Sequence, residues 1–502
     1  MGGRLKAAVV ALSCLVLVAA SVSGLAAPAN AAGGALTPFY SQRVAWTPCL
    51  DAVGSECATV QVPLDYRKPR GAQITIGLLR KTPIDAAAPS LVFNPGGPGG
   101  SATSWVESAG SLLLNPASPD ITASFNLVGM DPRGVGRSTQ LNCVSAEYLA
   151  AQSHGLPTSA REQVAYATGI PLNEVCARTN KGLTSNIGTD SVARDLDIFR
   201  SALGEAKLNF YGASYGSYLG MMYAHTFPDR VGRLILDGVN APFPNMTGIA
   251  VAQAIGTEQL LRAWADSCDS RGDSCPAGPG KSMSDVLAWF DNLMFILRDN
   301  PLEPSIGNAI TDRDILALTV ELLSAGQGFG FADLDRLLAA AGARDVETVN
   351  SFRIAYGLST ADATSVNQAV NCYDRPTSGK AKATVDLDRR LSAPRLAPHF
   401  APLFAPIPAT CFHWKVRRGK PNLVVAPTTK AAVLFINGRN DPKTPHRMAE
   451  TSMRLFPHAS LLTWEGFGHV SGTRGNACIN DAVAAYLTTG SLPGSANVSC
   501  AS

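Results

Sequence analysis

Residues 207–226 read KLNFYGASYGSYLGMMYAHT. The run Lys207 to Tyr211 predicts a strand and Tyr218 to Thr226 a helix, and between them Gly212-Ala213-Ser214-Tyr215-Gly216 has the form G-x-S-x-G. In that context the pattern describes a strained strand-to-helix turn with its serine at the apex. The glycines let helix and strand approach closely. Ser214 then stands at the end of a sheet with the positive end of a helix behind it. A serine hydroxyl becomes a nucleophile only beside a base whose orientation is held by a third group, so this turn directs the search along the rest of the chain.

Outward from the turn, strands and helices alternate. Ala58 to Arg80 reads as two strands joined at Lys68-Pro69-Arg70-Gly71, Ser90 to Asn94 and Phe125 to Met130 as buried strands, and Arg233 to Leu236 as another. A helix starts at Thr189, with Val192, Leu196, Phe199 and Leu203 at helical spacing and Gly204 as its stop. This alternation predicts a mostly parallel sheet flanked by helices. From about Ala241 to Leu423 the signals turn helical: Val251 to Ser267, Ser284 to Leu297, Asp312 to Leu323 and Phe331 to Ala341. The stretch is too long and too apolar for a loop and is expected to be an inserted lid. Strands return at Ala432 to Ile436 and Ser460 to Trp464. The expected organisation is a leader over 1–31, a first core part over 32–240, a helical lid over 241–423 and a second core part over 424–502.

For a serine on this turn type, acid and then base follow in chain order. Four of the seven histidines lie beyond residue 400: His413, His446, His458 and His469. His469 follows the last predicted strand inside Gly466-Phe467-Gly468-His469, a glycine loop able to present a side chain, and is the expected base; His446 is the main rival. Asp441 lies just past the strand Ala432 to Ile436, in a loop bracketed by Pro442 and Pro445. Such a rigid loop suits a carboxylate that fixes an imidazole tautomer, with Thr444 available to its second oxygen. The plain alternative for Asp441 is an Asx turn. An oxyanion forming at Ser214 needs preorganised N–H donors, the loss of one typically costing roughly 3 kcal/mol. Tyr215, after the serine, supplies one, and the glycine loop Asn94 to Ser101 supplies the other, at Gly97 or at its neighbour Gly96. That loop lacks the Lys-Ser/Thr ending of a phosphate-binding loop.

Composition narrows the rest. Lys and Arg number 42 against 39 Asp and Glu, a formal charge of +3 that excludes a concentrated basic field for nucleic acid. Arg4 and Lys6, the apolar run Ala7 to Leu25 and the box Ala29-Asn30-Ala31 have the order of a secretory leader. Its removal leaves 471 residues, ten cysteines and a charge of +1, and no later run long enough to span a bilayer. An exported chain with ten cysteines is expected to hold five disulfides. The cysteines cluster as Cys49 and Cys57, Cys143 and Cys176, Cys268 and Cys275, Cys372 and Cys411, and Cys478 and Cys500, and nearest-neighbour pairing is the expectation. No C-x-x-C pair or spaced histidines mark a zinc site. The sequons at Asn245 and Asn497 read as chance matches.

Together the blocks Cys57 to Tyr66, Asn94 to Gly100, Asp131 to Ser138, Gly212 to Gly216, Cys372-Tyr373-Asp374 and Asp441 to Pro445 resemble the α/β-hydrolase superfamily. More narrowly they are similar to the secreted tripeptidyl aminopeptidases, relatives of the proline iminopeptidases. The resemblance implies an α/β-hydrolase fold with an inserted helical lid, Ser214 as nucleophile, Asp441 as orienting acid and His469 as base. Proline iminopeptidases usually carry His before Gly-Gly-Pro-Gly, whereas Pro95 stands here, which favours the tripeptidyl branch. An aminopeptidase also needs a carboxylate for the substrate's ammonium group, and Asp374 is the candidate. The expected activity is release of short peptides from free N-termini, with a secreted esterase or lipase on the same triad as the alternative. No cofactor is called for.

Overall fold

Ten strands form one sheet in the order β1-β2-β3-β5-β4-β6-β7-β8-β9-β10. They are β1 (Thr47–Pro48), β2 (Ser55–Pro63), β3 (Gln73–Lys81), β4 (Ser90–Asn94), β5 (Asn126–Met130), β6 (Leu208–Ala213), β7 (Val231–Asp237), β8 (Val433–Asn440), β9 (Ala459–Phe467) and β10 (Asn497–Cys500). This computed structural model describes residues 34–502 except 82–84, 110–123, 142, 144–175, 177, 306–308, 327–328, 357–360, 376–380, 394, 412–413, 415, 417–425 and 495–496. The leader reading and His413 lie outside the described residues. From β1 to β3, and between β3 and β5, pairing is antiparallel; from β5 through β4, β6, β7, β8 and β9 to β10 it is parallel. The chain is thus an α/β protein with a mostly parallel sheet.

The central parallel strands are buried on both faces, and their alternation sorts side chains into two cores. Val92, Phe210, Val433 and Phe435 pack on one face with the helices Thr189–Leu203 and Tyr215–Thr226. Leu91, Phe93, Tyr211, Leu434 and Ile436 pack on the other with the helix Ala477–Thr489. The helix Thr189–Leu203 begins at the expected residue and ends on Gly204, whose φ of 83° supplies the left-handed stop. The elbow helix begins at Tyr215, three residues before the apolar pattern starts, because the glycine turn feeds it directly.

Between β7 and β8 the described residues are largely helical. The helices Met246–Asp266, Met283–Asp299, Asp312–Ala325 and Phe329–Gly342 extend the expected ones by a few residues. Capping boxes Ser282/Asp285 and Thr311/Asp314 start two of them. Val346–Ala355, Ala361–Asp374 and Ala381–Leu391 are further helices there. Trp264, Phe290, Leu316, Leu322, Phe331 and Leu337 build a third core, separate from the two on the sheet. Ten cysteines bridge as 49–57, 143–176, 268–275, 372–411 and 478–500. No helix of the described residues is long and apolar enough to cross a membrane.

Candidate active site

Ser214 sits between β6 and the elbow helix at φ 55°, ψ −124°. A non-glycine residue there costs about 1–3 kcal/mol and persists only when its surroundings over-determine it. They do: a Cβ on Gly212 would lie 2.2 Å from Gly216 O, and one on Gly216 would lie 2.5 Å from Asn94 O. Both elbow glycines are therefore demanded by close backbone approach. The Ser214 N–H donates to Asp237 O at 2.8 Å, tying the apex to the end of β7.

The acid and base candidates come from the ends of β8 and β9. The His469 Nδ1 lies 2.9 Å from Asp441 Oδ2 and 3.0 Å from Oδ1. Asp441 is buried, and its oxygens also accept from Lys443 N–H (2.9 Å), Thr444 N–H (2.8 Å), Thr444 Oγ1 (2.8 Å) and Val470 N–H (3.3 Å). The Asx-type turn and the histidine contact are thus made by the same side chain. With Nδ1 so occupied, Nε2 is the ring nitrogen left for proton transfer, the tautomer a base beside a serine requires. Next to the ring, Val470 holds φ 63°, a costly setting for a β-branched residue that aims the loop. The rival His446 is committed elsewhere. Its Nε2 lies 2.9 Å from Thr463 Oγ1 and its Nδ1 3.2 Å from an Arg439 guanidinium nitrogen. Burial, then the Arg439 charge, lowers its pKa.

On the other side of Ser214 stands the glycine loop. The Gly96 N–H donates to Asn94 Oδ1 at 3.0 Å. The Gly97 N–H has no bonded partner among the described residues, and its neighbour Gly96 packs against the elbow, where a Cβ would lie 2.8 Å from Tyr215 N and 2.9 Å from Ser214 Cβ. Asp131 buttresses the loop by accepting from Ser101 Oγ at 2.9 Å and Thr103 Oγ1 at 2.7 Å.

Asp374 is placed differently from the expectation. It ends the helix Ala361–Asp374, is buried, and accepts from the N–H (3.0 Å) and hydroxyl of Thr189, whose hydroxyl also bonds Tyr215 OH. The carboxylate therefore points into the elbow, not towards an open surface where an ammonium group could reach it. Burial lifts its pKa to about 6, against the hydrogen bonds from Thr189 and the charge of Arg375.

Two contributors escape sequence reading. Asp237, buried at the end of β7, accepts from Tyr211 OH at 2.6 Å, Ser471 N–H at 2.9 Å and Gly472 N–H at 2.7 Å, so it anchors the loop after His469. Burial raises its pKa despite these donors. Thr189 is the other, readable only as a helix start. The chemistry available is nucleophilic attack by a hydroxyl, proton shuttling by one imidazole and anion stabilisation by backbone N–H groups, all from protein groups.

Comparison with known proteins identifies the family. Residues 89–272 match a family described as alpha/beta hydrolase fold, and residues 397–500 one described as TAP-like protein. The serine protease Hip1 of Mycobacterium tuberculosis is 30% identical over 91% of each chain. Carboxylesterase B of the same organism is 29% identical, over 91% of this chain and 90% of that one. A tripeptidyl aminopeptidase of Streptomyces coelicolor is 28% identical, over 89% of this chain and 83% of that one.

Proposed function

We propose, from the premise that the chain belongs to the α/β-hydrolase family of serine protease Hip1 and is a serine hydrolase, that it is an exported exopeptidase releasing tripeptides from free N-termini. In this reading His469 Nε2 takes the proton of Ser214 Oγ as the oxygen attacks the scissile carbonyl carbon. The oxyanion is met by the N–H groups of Gly97 and Tyr215. The tetrahedral species collapses, His469 protonates the departing amine, and water deacylates Ser214 by the same route. Asp441 holds the ring and stabilises the imidazolium that forms twice per cycle.

The observation that carries the reading is the Asp441–His469 contact of 2.9 Å on the two strand ends that follow β7, to which the elbow serine is itself tied. Five disulfides support export, because such bridges persist in oxidising compartments. The tripeptide product rests on the likeness to the tripeptidyl aminopeptidase. The carboxylesterase relative keeps ester hydrolysis as a second reading. A library of peptides with free and acetylated N-termini, with products weighed by mass spectrometry, tests both. Tripeptides from free N-termini alone are expected. Equal turnover of acetylated peptides would remove the free N-terminus from the assignment, and turnover of simple esters assayed alongside, with no peptide cleaved, would transfer it to an esterase.

A further inference from the structure

Arg474 lies five residues beyond His469 and is partly buried, yet its bonds go to carbonyl oxygens. Its Nε donates to Val470 O at 3.1 Å, and its Nη2 to His469 O at 2.6 Å and Ser324 O at 2.8 Å. Its Nη1 donates to Ala325 O. Ser324 and Ala325 end the helix Asp312–Ala325, whose last carbonyls lack intrahelical donors and carry the negative end of the helix dipole. The His469 N–H donates to Ser324 O as well, at 2.8 Å. Burial lowers the Arg474 pKa, with Asp441 and Asp237 opposing.

The packing around this contact is as close as the backbone permits. A Cβ on Gly468 would lie 2.8 Å from Arg474 Nη2 and 2.9 Å from Gly326 Cα, and one on Gly326 would lie 2.4 Å from Phe467 O. Gly468 at φ 122° and Gly326 at φ 94° are the residues that let the histidine loop and the helix end meet. A further tie, Lys443 Nζ to Glu321 Oε2 at 2.7 Å, joins the loop of Asp441 to the same helix.

We infer that Arg474 is a positioning residue for the base: its guanidinium fixes the loop carrying His469 to the carboxyl end of the helix Asp312–Ala325, so that the helical region sets the imidazole's place. The inference rests on the assignment of His469 as base. A planar fork of five N–H donors can span four carbonyls from two segments, which the compact ammonium of lysine cannot. Misplacing a catalytic group by about 1 Å costs up to about 100-fold in rate without weakening substrate binding.

The test is kinetic and uses the full-length protein, with active sites counted by fluorophosphonate labelling of Ser214. Arg474→Lys and Arg474→Met should each lower kcat by about 30-fold at a KM changed less than about twofold. The far-downfield proton resonance of the His469–Asp441 contact should broaden or vanish in both. Unchanged kcat per labelled site, even with a lower Tm, would overturn the inference, as would a loss confined to KM. If Arg474→Met does not fold, Arg474→Lys and the resonance decide. His469→Ala is the separate control. Turnover surviving in it would remove the base assignment itself, whatever Arg474 does.

Discussion

Two carboxylates flank the elbow, both buried, and they are served very differently. Asp441 sits on a turn whose own backbone supplies Lys443 N–H and Thr444 N–H, to which Thr444 Oγ1, Val470 N–H and the His469 ring are added. Asp374 ends a helix and reaches across to Thr189, with Arg375 next along the chain. A buried carboxylate surrounded by donors is preorganised to face a positive charge that appears during reaction. At Asp374 burial outweighs the Thr189 hydrogen bonds and the Arg375 charge, and the carboxyl is lifted to about 6. The first site is built for turnover. The second is built to hold a helix, through Thr189, against the residue after the nucleophile.

The harshest way to break this comparison is Asp441→Asn. The amide keeps the volume, but its nitrogen would confront N–H donors and the ring would lose the partner that selects its tautomer. A fall of roughly 10⁴-fold in kcat is expected, with KM little changed and the fold intact by circular dichroism. Retention of more than a tenth of the wild-type rate would mean that another group orients His469, and Asp237 would be the first to try.

Asp374→Asn sharpens the comparison with a smaller effect. Because Asp374 reaches the site through Thr189 and Tyr215, the loss should be about tenfold in kcat and equal for esters and free peptides. A loss restricted to free-amine peptides would instead return Asp374 to the role of ammonium binder. The pH dependence gives an independent reading. A carboxyl raised from 3.8 to about 6 on folding leaves the native state holding more protons than the unfolded chain between those values. The contribution of Asp374 to stability should therefore decline across that window, by up to about 3 kcal/mol, and stay level above it. The Asn variant should lack this decline, which urea melts at about pH 4 and pH 7 would show.

The elbow and the loops that bring Asp441 and His469 together are legible in the sequence because each rests on local chemistry. Gly212 and Gly216 are imposed by contacts within a few residues of Ser214 or on the neighbouring strand, and the loop of Asp441 makes its own donors. The joint at Arg474 is not legible. Its partners are main-chain carbonyls, which any residue offers, on a helix about 150 residues earlier. Asp237 likewise reads as the end of a strand until Ser471 and Gly472 fold onto it. The helix Ala361–Asp374 goes unread because ADATSVNQAVNCYD is dense in Thr, Ser and Asn, which compete locally for backbone groups and weaken a helical pattern. Its anchors, the bridge from Cys372 to Cys411 and the bonds of Asp374 to Thr189, are tertiary. That is why Asp374 could be ranked by its neighbourhood in the chain yet not by its direction.

The mildest test uses a third set of charges, centred on buried Glu258 inside the helical region and without a contact to Ser214, Asp441 or His469 among the described residues. His399 Nδ1 lies 2.8 Å from Glu258 and Nε2 3.2 Å from Asp291, and Glu258 also pairs with Arg262 at 2.8 Å. Burial opposes the ring's charge, but hydrogen bonds to Asp291 and Glu258 outweigh it and raise the pKa from 6.5 to about 9. For a base whose folded pKa is raised, the stabilisation is fully present below the unfolded value and is lost as pH rises through the folded one. The contribution of His399 to Tm should hold up to about pH 6.5 and decline towards about pH 9.5, so His399→Gln should start lower than wild type and the gap between them should close over that range. Its kcat should stay within about twofold of wild type, since the cluster joins the helices Met246–Asp266 and Met283–Asp299 to each other, while the first helix meets the loop of Asp441 through other residues, Gln253 and Gly256. A large kcat loss in His399→Gln would show that stability anywhere in the helical region is transmitted to the base, and the joint at Arg474 would then be one tie among many. A Tm change without a kcat change keeps the transmission where the carbonyl contacts place it.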